Sequence, residues 1–101
     1  MERPLTFHPL VQRDFNEIVD YYHEEAGSHV AERFESEFRE SIGEIMSNPR
    51  HFPFYLHQRR YRRHTLRTFP HLILFLESDE AIRIMVLKHI KRNPPYGLRR
   101  K

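Results

Sequence analysis

Four arginines, three histidines and a tyrosine in the second half of this chain have side chains suited to handling a phosphate. Arg62, Arg63 and Arg67 crowd together, and Arg92 follows a later apolar run. A guanidinium grips two phosphate oxygens at once, so such a cluster suits a crowded anion. His64, His71 and His89 are interspersed with these cations. An imidazole kept neutral by neighbouring arginines, whether His64, His71 or His89, accepts a proton readily and donates one poorly. Tyr96 can share in proton transfer or stack on a base. Arg62 and Arg63 are neighbours on a predicted strand and project from opposite faces, so at most one of them serves a given site.

Other chemistries find less support. The chain has no cysteine, which removes thiolate catalysis and disulfides. Its glycines are Gly27, Gly43 and Gly97, which leaves no glycine-rich phosphate cradle and no expected cofactor. His51, His57 and His64 are six and seven residues apart in unlike settings, a poor metal set, and no metal site is expected.

Charge is sorted along the chain. Through Ser47 the formal charge is −7, and from Asn48 onward it is +10, which together give the net +3. A basic half gathered on one face would draw polyanions or acidic proteins. The longest apolar run, Leu72 to Leu76, is far too short to cross a membrane, and the start lacks the layout of a secretory signal. A soluble, cytoplasmic, single domain over residues 1–101 is expected.

The elements that must position these residues are legible from periodicity. Leu5 to Phe7 reads as a short strand, and Pro9 suits the first position of a helix. Val11, Phe15, Ile18, Val19 and Tyr22 fall at helical spacing, with Asp14, Glu17 and Asp20 turned away from that stripe. Gly27 closes this helix and Ser28 caps the next, whose stripe runs Val30, Phe34, Phe38, Ile42, Ile45 and Met46 until Pro49 stops it. After an aromatic segment at 52–56 come three strands, 61–66, 71–77 and 81–88, the last two joined as a hairpin. The fold predicted is α+β: an N-terminal strand, a two-helix hairpin, then three antiparallel strands, with the helices packed on one face of a small four-stranded sheet.

Both faces of the later strands are apolar. Ile73 and Phe75 oppose Leu72, Leu74 and Leu76, and Ile82, Ile84 and Val86 oppose Met85 and Leu87. Two helices cover only one face. The other needs the 52–56 segment, the tail or another molecule as its cover, and a partner polypeptide laid along it is the sharper expectation.

An opening strand followed by a Pro-Leu…Asp-Phe…Ile…Tyr-Tyr helix, the Ala31-Glu32-Arg33-Phe34 run, Asn48-Pro49, Arg67-Thr68-Phe69-Pro70 and the late His89 to Pro94 stretch together resemble the RelE/ParE toxins of bacterial type II toxin-antitoxin systems. The resemblance implies a growth inhibitor, of the kind linked to plasmid stabilisation, silenced by a cognate antitoxin. It further implies one of two targets. ParE-like members act on DNA gyrase as binding inhibitors, and the Phe69-Pro70 entry and the His89 to Pro94 tail lean that way. RelE-like members enter the ribosome and cut mRNA without a metal, using the 2′-hydroxyl as nucleophile. On that alternative Arg63, His71, Arg92 and Tyr96 are the catalytic set, although His71 stands where nuclease members tend to carry arginine. A third reading is a degenerate homologue that binds antitoxin without being toxic. Antitoxin or target is expected to meet Arg62, Arg67, Leu72, Leu74, Met85, Leu87, His89 and Arg99.

Overall fold

A computed structural model describes residues 3–56 and 59–101 of the chain. Strand β1 (Leu5–Phe7) leads into helix α1 (Pro9–Ala26), helix α2 (Ser28–Ser47), a 3-10 turn (Pro49–His51), and strands β2 (Arg62–Thr65), β3 (His71–Glu77) and β4 (Ile82–His89). The sheet order is β1-β4-β3-β2. β1 runs parallel to β4, and the other pairs are antiparallel, so the sheet is mixed. A parallel first strand is what the helical crossover allows: α1 and α2 carry the chain over one face before it returns through β2 and β3.

Each helix boundary has a local cause. Pro9 occupies the first turn of α1, and the His8 imidazole caps that turn by accepting from the Leu10 amide at 3.1 Å. Gly27, at φ +91°, both closes α1 and opens α2. This is backbone territory that glycine alone enters cheaply. Ser28, expected as the cap of α2, makes no capping hydrogen bond. Gly27 itself supplies the turn. At the far end Asn48 donates its amide to the Glu44 carbonyl and Pro49 ends the helix.

Between helices and sheet lies one core, built from Val11, Val19, Ala31, Phe34, Phe38 and Ile45 against Ile73, Phe75, Ile82, Ile84 and Leu87. Its aromatic rings interlock, Phe34 meeting Phe69 edge-on at 5.2 Å and Phe15 lying 5.2 Å from Phe38. The helical stripes are thus core, as their spacing predicts.

One irregularity reshapes the second face. Leu74 pairs with Val86 and Phe75 with Ile84, so Met85 is an extra residue bulged out of β4. The bulge shifts the alternation beyond it. Val86 therefore joins Met85 on the face away from the helices, while Leu87 turns into the helix core. The expected phase, with Val86 beside Ile84 and Leu87 beside Met85, fails at this point because strict alternation assumes an unbroken ladder.

That second face is closed by the chain itself. Tyr55, Tyr61, Leu72, Leu74, Met85 and Val86 form a second buried cluster, packed by Leu76, Tyr96 and Leu98. The tail lies so close that a Cβ on Gly97 would come within 2.4 Å of a Val86 methyl, and Gly97 sits at φ +81°. Only glycine fits both the approach and the backbone angle. The open apolar platform expected for a partner does not exist here: Leu72, Leu74, Met85 and Leu87 are all inside, at most 5% exposed.

Candidate functional site

Where β1 ends, β4 loses its neighbour. The last bond between them runs from the His8 amide to the Ile84 carbonyl, leaving the Met85 carbonyl and the Leu87 amide facing inward without a strand partner. Two side chains replace that strand. Asp14 of α1 accepts from the Leu87 amide at 3.2 Å, and Arg100 donates to the Met85 carbonyl at 2.9 Å. Arg100 also grips both Asp14 oxygens, at 2.6 and 2.9 Å. The Tyr96 hydroxyl donates to Asp14 at 2.7 Å and accepts from Arg100 at 3.1 Å. Asp14 and Arg100 are 3% and 8% exposed. The hydrogen bond to Asp14, more than the opposing effect of burial, pushes the Arg100 guanidinium up from its ordinary value. The guanidinium therefore stays charged, and its bidentate contact pins the tail to the sheet.

Lys88 closes the same region from the other side. Its ammonium is buried, donates to the carbonyls of Asn93 at 3.3 Å and Pro94 at 3.0 Å, and lies 4.9 Å from the centre of the Tyr55 ring. A lysine survives there because carbonyls and an aromatic face replace its water.

Beside this clamp a cleft of about 450 Å³ opens between α1, the start of β3 and the end of β4, with Tyr21, Tyr22, His71, His89, Arg92 and Tyr96 among its walls. The Arg92 guanidinium lies over the Tyr96 ring at 4.0 Å, and the His71 and His89 rings meet edge-on at 5.3 Å. Three residues of the expected catalytic set, His71, Arg92 and Tyr96, are brought together here. Arg63 is not. It registers with Leu74 and stands exposed on the tail face, whereas His71 belongs to the helix face with Ile73.

His71 is neutral for a different reason from the one its sequence context suggests. Burial first, and the nearby His89 second, push the imidazole down to about 4. Its Nδ1 is buried without a hydrogen-bond partner among the described residues, and its ring packs edge-on against Phe34 and Tyr22. It is mainly a core histidine. His89 uses Nδ1 to accept from the Lys91 amide, shaping the turn after β4.

The remaining arginines are dispersed. Arg62 lies over Phe54 at 4.2 Å, donates to the Phe52 carbonyl at 2.8 Å and approaches Glu77 at 3.8 Å. Arg67 pairs with Glu44 at 2.8 Å, an oxygen of the same carboxylate meeting buried His64 at 3.1 Å. Hydrogen bonding from His64, then from Arg67, holds Glu44 below the usual carboxylate range. Arg99 borders a separate groove near His8 and Arg13. Part of the basic half thus neutralises acids of α1, α2 and β3 within the molecule. The metal reading also finds nothing: His57 lies outside the described residues, and no group of three or more possible ligands assembles among the others.

Spacing alone turns Asp14 away from the core stripe, whereas the structure buries it, and the sequence predicts no role for Arg100 or Lys88. A signal existed for Asp14, since Val11 and Ile18 lie three residues before and four after it on the buried side of α1. For Arg100 and Lys88 the sequence offers only two more cations among many.

A family model described as the ParE toxin of type II toxin-antitoxin system, parDE, matches residues 5–94. The chain belongs to the ParE toxin family. As a ParE-family member it is a type II toxin, in line with the resemblance carried by its motifs. Among solved structures it is similar to one titled a chromosomal ParDE TA system from P. aeruginosa, with a TM-score of 0.77 and 17% identity over 87% of this chain and 96% of that one. At that identity the likeness speaks for the fold, which the two share. No curated protein matches the sequence. The matched span of this ParE-family chain ends at Pro94, short of Tyr96 and Arg100, so the clamp joins a family segment to a tail outside the match.

Proposed function

We propose that this toxin arrests growth by binding DNA gyrase, and that a cognate antitoxin in the same bacterial cytoplasm holds it silent. The family supports the toxin class. The reading of a binding inhibitor, as against an RNA-cutting enzyme, is supported by the commitment of Tyr96. Its hydroxyl is spent between Asp14 and Arg100, so the proton it carries is engaged in holding the tail. Arg63, the cation expected at the same phosphate, lies on the opposite face of the sheet. A 2′-hydroxyl attack needs a base, an acid and cations converging on one phosphate. His71 is sunk in the core and the acid is engaged, so convergence is poor.

The rival reading rests on the cleft that gathers His71, Arg92 and Tyr96. Expressing the toxin without its antitoxin separates them. Gyrase poisoning gives arrest with broken DNA, an SOS response and intact transcripts. Transcripts cut within codons would reject it in favour of the nuclease, and unimpaired growth would favour the non-toxic homologue.

A further inference from the structure

Ion pairing does not use the arginines evenly. Arg3, Arg50, Arg62 and Arg67 neutralise Glu77, Asp79 and Glu44. Arg60, Arg63, Arg83 and Arg99 enter no ion pair among the described residues. Strand register shows where two of these four point. Arg63 stands opposite Leu74 and Arg83 opposite Leu76, and both leucines belong to the cluster under the tail, so both arginines leave the sheet on the tail side. Arg60 joins them by donating to the Leu98 and Arg100 carbonyls, at 3.2 Å each, which fixes its position without cancelling its charge. Arg99 borders a groove of about 430 Å³ between the start of α1 and the tail, whose walls include His8, Arg13 and Arg100.

The acids lie elsewhere. Apart from Asp14, which Arg100 matches, those of α1 and α2 belong to the helix layer, and Glu77 turns with Phe75 to the helix side. His8 registers the resulting field: burial first, then Arg83 and Arg100, push its imidazole down, and Asp14 opposes them only in part. Arg63 on β2 and Arg83 on β4 stand two strand spacings apart, roughly 10 Å, so the cations are strung across the face rather than aimed at one small anion. Beneath them Leu72, Leu74, Met85 and Val86 are sealed. The face therefore offers cations without the buried apolar anchors on which protein partners depend. A polar, positive surface of arginine forks suits a chain of phosphodiesters instead.

We propose that the tail face binds the phosphate backbone of duplex DNA, without regard to sequence, through Arg60, Arg63, Arg83 and Arg99. The chemistry is this chain's own, and only the place where the duplex is met rests on the gyrase reading above. Gyrase works on DNA, so a toxin that also grips the duplex would favour the enzyme engaged with DNA over the free enzyme.

The test is the anisotropy of a short fluorescein-labelled DNA duplex titrated with the purified toxin over a series of salt concentrations. Binding should tighten as salt falls, with log K against log salt sloping at about −3 to −4 for the four cations. Arg63→Glu combined with Arg99→Glu should weaken binding ~10-fold or more and take about 2 from the size of that slope. Arg33→Glu combined with Arg39→Glu, an equal change of charge on α2, should bind as the wild type does. All four positions are exposed, so thermal unfolding should be unaltered in both double variants, and Arg63→Ala with Arg99→Ala serves if the reversal disturbs folding. An unbound duplex at low salt, or the same loss in both double reversals, overturns the proposal. Poly-glutamate that displaces the duplex at an equal concentration of charge would give the face to acidic polypeptides, and tighter binding of duplex RNA would give it to RNA; either overturns it. A toxin that inhibits supercoiling yet leaves the duplex unbound overturns this proposal and keeps the gyrase reading. One that binds the duplex and leaves gyrase untouched keeps the DNA surface and overturns the gyrase reading.

Discussion

On the helix side of the sheet, the side chains of Phe34, Ile73, Phe75, Ile84 and Leu87 pack by shape and burial, whereas on the tail side closure depends on a few polar groups. Leu98, Gly97 and Tyr96 lie against Met85 and Val86 because Arg100 reaches Asp14 and Lys88 reaches the carbonyls of Asn93 and Pro94. Apolar packing degrades gradually as atoms are removed. A buried ion pair fails abruptly, since either partner left alone is a charge without water. The helix face is therefore the durable half of the molecule, and the tail face is the half that one substitution can open.

The largest effect expected from breaking this contrast is Asp14→Ala, which strands Arg100 and should cost about 3–5 kcal/mol in chemical denaturation. Pairing Asp14→Leu with Arg100→Met should recover only part of it, because an apolar pair leaves no unmatched charge but strands the Leu87 amide and the Met85 carbonyl. Phe34→Ala on the helix face should cost a similar amount, but no second substitution at position 100 should rescue it. Gly97→Ala comes next, at about 2 kcal/mol, since its methyl would meet Val86 and its positive φ would be strained. Removal of the tail contact should be visible as faster exchange of the Leu87 amide, with the helix core unaltered.

A pH titration sharpens the comparison on the helix side. His71 in the folded chain titrates at about 4, below the ordinary 6.5, so between those values the unfolded chain binds a proton that the folded chain refuses. Stability should therefore rise with pH across that window and lose on the order of 3 kcal/mol on acidification through it. His71→Phe should flatten that part of the profile. Below it the carboxylates take over. Burial pushes Glu77 up, but hydrogen bonds from Arg3 and Arg50 outweigh it and hold the group below its ordinary value. Its contribution is present above the ordinary carboxylate range and fades as pH falls through the folded value. The smallest effect belongs to the exposed Arg67, whose replacement by Ala should cost about 0.5 kcal/mol or less and vanish at high salt.

What the sequence disclosed and what it hid follow the same divide. The helical stripes, the β3–β4 hairpin and the short first strand were legible because period 3.6 and period 2 leave direct marks in the order of apolar residues. The motifs through Pro94 marked the family for the same reason, being local. Val86 and Leu87 were misassigned because a bulge is invisible to alternation. The apolar second face is legible, and the 52–56 segment and the tail stand among its expected covers, but no local pattern decides between them and a partner, because the contact between Asp14 and Arg100 spans nearly the whole chain. Of the expected site, His71, Arg92 and Tyr96 do share a cleft, but Arg63 stands across the sheet. Pairing register, which no local pattern records, decides that.

Tyr96 carries the distinction between a clamp that shapes a binding protein and a site that cuts RNA. The direct measurement is DNA supercoiling by gyrase, titrated with purified wild-type toxin and with Tyr96→Phe, which keeps the ring and loses only the hydroxyl. Inhibition of supercoiling by both proteins, at comparable concentrations, is the predicted result. Gyrase untouched by either, together with ribosome-bound mRNA cut by the wild type and spared by Tyr96→Phe, would contradict it.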